Sequence, residues 1–65
     1  MKSEKDMIGA ALKTAVEYET HIAMKYANIT KTVTDPAIQQ QLKSLEQTAR
    51  NHLNLLSKQM QELNN

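Results

Sequence analysis

Asp35-Pro36 is the one strong interruption in a chain otherwise written as two long amphipathic stretches. Asp is among the best N-cap residues, and Pro fits the first helical position, where its missing amide would have gone unpaired. The same dipeptide ends what precedes it, because the residue before a proline is pushed out of the helical region. Thr30 to Thr34, with three Thr and a Val, is also a run of weak helix formers. The sequence therefore predicts helix 1 over about 4–33, a turn at about 34–35 and helix 2 over about 36–63.

Ser3-Glu4-Lys5-Asp6 supplies the start of the first helix: Ser3 can accept from orphan amides of the first turn, and Glu4 and Asp6 suit the positive end of the dipole. From there a seam alternating four and three residues runs Ile8, Leu12, Ala15, Glu19, Ile22, Tyr26, Ile29 and Val33, widened by Ala11, Val16, Tyr18 and Ala23. The second seam runs Ile38, Leu42, Leu45, Ala49, His52, Leu56, Gln59 and Leu63, with Leu53 and Met60 beside it. Gly9 is expected to be tolerated near a frayed end, at a cost of about 1 kcal/mol relative to Ala. Arg50 and Lys58 suit the second half of helix 2, and Asn64-Asn65 is expected to fray. Two helices of about 40 Å joined by a tight turn form an antiparallel hairpin. Residues whose numbers add to about 69 should then lie level along it.

A chain of 65 residues buries only about 60% of the surface its unfolded form exposes, so a lone core of this size is marginal. There is no cysteine to supply a disulfide or a thiolate zinc site, and no Phe or Trp to enlarge the core. Oligomerisation is the remaining route, and the expected fold is all-α: a hairpin that pairs as a homodimer into a four-helix bundle. The formal net charge of +1, with Lys and Arg scattered among acids, gives no footprint for nucleic acid. No apolar run approaches the roughly 18 residues of a membrane span, so the expectation is a soluble, cytoplasmic protein with no membrane partner.

Apart from Gln59 toward the end of helix 2, two seam positions break the apolar pattern, and the hairpin sets them in one layer. Glu19 on helix 1 falls level with His52 on helix 2. An unpartnered carboxylate in a core costs several kcal/mol, so Glu19 must be protonated, hydrogen-bonded or bound to a cation. A hydrogen bond to His52 or Tyr26 would fix the register of the bundle. Alternatively, two Glu19 and two His52 from a dimer would gather oxygen and nitrogen donors suited to iron, manganese or zinc. A third arrangement is a polar cavity holding water and no metal.

Glu19 followed seven positions later by Tyr26, with His52 level on the second helix, resembles the ferritin-like and rubrerythrin-like superfamily. The connection Thr34-Asp35-Pro36-Ala37-Ile38 and the stretch from Arg50 to Leu56 are similar to rubrerythrin-type sequence as well. The resemblance covers about residues 8 to 63 and implies a half-bundle whose pairs enclose a carboxylate metal site. In that family a Glu three positions before the His bridges the metals; here that position is Ala49. Two Glu and two His neutralise one divalent ion rather than two, which implies a single-metal site, with Glu46 and Tyr26 as accessory candidates. Restoring a carboxylate by Ala49→Glu is then expected to raise metal uptake. Spore-coat relatives of the superfamily suggest the alternative, a metal-free structural or interaction module.

The other polar residues carry less. His21 and Glu17 read as an exposed pair one turn apart, Tyr18 as a packing residue at the edge of the stripe, and Met7, Met24 and Met60 as packing or surface residues. Gln39-Gln40-Gln41 reads as an exposed helix face, usable by a protein partner if the chain were a plain adaptor. No nucleophile-base motif or phosphate loop is present, so the sequence leaves enzymatic activity open and names no substrate.

Overall fold

The computed structural model describes residues 3–64; Met1, Lys2 and Asn65, including half of the expected frayed end, lie outside them. The chain forms α1 (Glu4–Thr32) and α2 (Pro36–Asn64), 29 residues each, packed as a hairpin. Both boundaries fall within a residue of the expectation because local caps set them. At the start of α1 the Asp6 amide donates to Ser3 Oγ at 3.1 Å and the Ser3 amide donates to Asp6 Oδ2 at 3.4 Å, a reciprocal capping box. At its end Val33 turns to extended backbone while its amide still donates to Ile29 O at 3.1 Å.

Asp35 does what its position before Pro36 predicts. Its Oδ1 accepts from the Ala37 amide at 2.9 Å and the Ile38 amide at 3.3 Å, satisfying two of the orphan donors of α2. The Gln39 side chain donates across the turn to Val33 O and closes the connection. The weak helix formers of α1 are accommodated by back-bonding: the Thr14, Thr20 and Thr30 hydroxyls donate to the carbonyls four residues earlier. Asn64 remains helical rather than frayed.

The register differs from the expected one. Gln39 reaches Val33 at the turn, and Leu63 Cδ2 lies 3.5 Å from where a side-chain carbon on Gly9 would stand at the open end. Level residues therefore have numbers adding to about 72 rather than 69, because the first turn of α2 stands above the end of α1 instead of beside it. Gly9 belongs to the seam and not to a frayed end.

The seam keeps one expected column on each helix, Leu12, Glu19, Tyr26 and Val33 with Leu42, Ala49, Leu56 and Leu63, and differs by one residue in the other. On α1 and its cap Gly9, Leu12, Val16, Glu19, Ala23, Tyr26, Thr30 and Val33 are buried or half-buried, with Ala15, Ile22 and Ala27 half-buried beside them; on α2 the set is Gln39, Leu42, Glu46, Ala49, Leu53, Leu56, Met60 and Leu63. Both sets keep the alternating three-and-four spacing. Ala23 and Ala49, level at the middle, are 2% and 3% exposed and are the only buried residues among those described. Ile8, Ile29, Ile38 and Leu45, expected in the seam, stand exposed. The hairpin is a slab of 51 × 19 × 11 Å with no strand among the described residues. Neither helix is long and apolar enough to cross a membrane.

Candidate functional site

Glu19 and His52 meet across the two helices, with His52 Nδ1 3.4 Å from Glu19 Oε1. The register explains the meeting: Glu19 is level with Leu53, and His52 is one residue round the helix from it, toward the flank. Their environments differ from the sequence expectation of two core side chains. Glu19 is 21% exposed, whereas His52 is 55% exposed and stands at the surface of the slab. A pair at this depth is partly solvated, which screens the attraction between its members.

The pair borders a cavity of about 250 Å³ lined by Ala15, Tyr18, Glu19, His52, Leu55 and Leu56. Four of its six walls are apolar or aromatic, and the small Ala15 side chain leaves the space. Tyr18 and Leu55 are exposed at its rim. The role of these two residues was not visible in the seam pattern; the signal for Leu55 is the cluster Leu53, Leu55, Leu56, too dense for one narrow stripe.

Heptad spacing extends this flank along the whole hairpin. Ile8, Ala15, Ile22 and Ile29 repeat every seven residues on α1, as do Ile38, Leu45, His52 and Gln59 on α2. Because Ala15 and His52 line the same cavity, both columns border the same side of the slab. The result is an apolar flank with the Glu19–His52 pair near its middle.

The two accessory candidates sit elsewhere. Glu46 is half-buried in the seam rather than solvated on its edge, and its Oε2 accepts from Arg50 at 2.7 Å and 2.8 Å. It lies seven residues before Leu53, the residue level with Glu19, which is about 10 Å along the axis. Tyr26 is the same seven residues beyond Glu19, half-buried and level with Glu46. Ala49, at the family's bridging position, is closed inside the seam. His21 and Glu17 are both exposed, as are Met7 and Met24.

Among the described residues no three His, Cys, Asp or Glu side chains gather closely enough to hold a metal ion. One chain thus offers one carboxylate and one imidazole, half of the four donors that a tetrahedral zinc site takes. A second copy would be needed to complete such a set. The chain matches no protein-family model, no curated protein and no solved structure.

Proposed function

We propose that the chain is a self-assembling half-bundle, a structural or interaction module in which two copies cover each other's apolar flank to make a four-helix homodimer. The observation that supports this most directly is the uncovered flank itself, with Ile8, Ile29, Ile38, Leu45, Tyr18 and Leu55 all exposed. A hairpin whose only buried residues among those described are two alanines lacks the core that an independent domain of this size needs. The broad face measures 51 by 19 Å, a footprint of about 970 Å², against the roughly 800 Å² per partner of a standard stable interface.

A metal-binding form is the second reading, favoured by the Glu19–His52 pair lying in that flank. Two copies would bring two carboxylates and two imidazoles together, a donor set for one zinc, iron or manganese ion. The resemblance to ferritin-like half-bundles supports the same architecture, and Ala49 in place of a bridging carboxylate favours one ion over two.

Native mass spectrometry of the protein at micromolar concentration, before and after adding each metal, separates these readings. A dimer that stays metal-free is the expected result for the module. A dimer retaining one ion, lost on Glu19→Gln, would establish the metal-binding form. A monomer at all concentrations would overturn the half-bundle.

A further inference from the structure

We infer that Tyr18 is the anchor of self-association, seated in the partner copy's cavity between Ala15, Leu55 and Leu56 with its hydroxyl at the partner's Glu19–His52 pair. This rests on the half-bundle reading and adds to it the residue and the pocket that hold the two copies in register. The first support is symmetry. Tyr18 is the middle residue of α1, which runs from Glu4 to Thr32. With the turns at opposite ends, a two-fold axis that overlays two such slabs crosses them near mid-length, within about one turn of Tyr18; with the turns at the same end it runs along the slab and sets every residue level with its counterpart. In either arrangement each cavity faces its counterpart.

The second support is the chemistry of the cavity. About 250 Å³ of open groove bounded largely by Ala15, Leu55, Leu56 and the Tyr18 ring is apolar surface left to solvent, and once covered it would offer few of the two to four polar partners that an ordered water takes. Glu19 and His52, 3.4 Å apart, supply its polar atoms at one point. An incoming side chain that fits must be largely apolar with one polar tip, and a buried phenol needs a hydrogen-bond partner for its hydroxyl. On this flank Tyr18 is that side chain: 64% exposed, the most exposed of the large hydrophobic residues, standing at the rim of the space it would fill in its mate.

Sedimentation equilibrium of the full chain and its variants tests this. Tyr18→Ala is expected to raise the dimer Kd by about 30-fold or more, as for a central anchor. Tyr18→Phe keeps the ring and loses only the hydroxyl, so its Kd should rise less than about tenfold. Ala15→Leu, which keeps a good helix former and fills the cavity from within, should weaken the dimer with helicity retained. In a Tyr26→Phe chain Tyr18 is the sole tyrosine, with no Trp present, and its acrylamide quenching should fall as the chains dimerise. A dimer whose Kd is unchanged by both Tyr18→Ala and Ala15→Leu would overturn the anchor while leaving the half-bundle standing. A wild-type chain that remains monomeric would overturn both.

Discussion

On α1 the column Gly9, Val16, Ala23 and Thr30 faces α2, whereas the column one residue back, Ile8, Ala15, Ile22 and Ile29, borders the open flank. On α2 the seam takes Gln39, Glu46, Leu53 and Met60, and the flank receives Ile38, Leu45, His52 and Gln59. Hydrophobicity alone would have put the isoleucines between the helices. The hairpin instead encloses the column with the smaller side chains on α1, and Ala23 packs level with Ala49 at its centre. Small residues at the contact let two helices approach closely, and the interaxial distance depends on the side chains there. Ile8 and Ile29 of the adjacent column are left exposed, outside the hairpin's own seam. On α1, volume chooses the closed side.

The sharpest way to break this comparison is to put a charge into the closed side. Ala49→Glu would force a carboxylate into the tightest layer, opposite Ala23. The cost is on the order of 3 kcal/mol, which for a domain this small lowers Tm by more than about 10 °C. Circular dichroism melts should show that loss, with no gain in metal binding. This reverses the expectation that a carboxylate at position 49 would complete a metal site, because that position points into the seam and not toward the flank. A variant that keeps its Tm and takes up metal would show that the two sides have been assigned the wrong way round.

The same manipulation on the open side should have the opposite sign. Replacing the pair together, Glu19→Leu with His52→Leu, removes two polar groups from the flank and adds apolar surface to it. Made on a Tyr18→Phe background, so that no hydroxyl is left without its partner, the double variant gains roughly 1–4 kcal/mol in dimer stability if the flank is covered by a second copy, as buried ion pairs often do on apolar replacement. Thermal melts at several protein concentrations would report it as a rise in Tm that grows with concentration. A loss confined to metal-supplemented buffer would instead favour the metal-binding form.

These opposite signs also mark where sequence reading reached its limit. Helix ends were legible because they depend on local chemistry: Ser3 with Asp6, and Asp35 before Pro36, act over three residues and need no tertiary contact. The Glu19–His52 meeting was legible for a related reason, since Glu19 lies in a position common to the expected and observed seams and His52 in the adjacent column. The choice of column was not legible, because Ile8 and Gly9, or Ile22 and Ala23, lie on one broad apolar arc. Only the fit against α2 decides between them. Glu46 was misread for the same reason: one step of rotation moved it from the expected edge into the seam, beside Arg50. The cavity needed three dimensions altogether, since it exists only where Ala15 and Leu56 fall near each other under Tyr18 and Leu55.

The smallest test asks whether the closed side needs small residues along its whole length. Gly9 is in the seam near the open end, yet a Cβ there would meet Leu63 Cδ2 at 3.5 Å, an ordinary van der Waals contact. Its backbone has no positive φ, so nothing in the local conformation demands glycine. Gly9→Ala should therefore remove the entropic penalty of glycine in a helix interior and stabilise the hairpin by about 0.5–1 kcal/mol, a rise in Tm of a few degrees. The added methyl also contributes a contact with Leu63 instead of a clash. A fall in Tm would mean that the helices must approach as closely at Gly9 as they do at Ala23 and Ala49, so that the small-residue column governs the seam from end to end. The expected rise confines that requirement to the central layer, where Ala23 and Ala49 set the spacing and the open end closes around whatever side chain it is given.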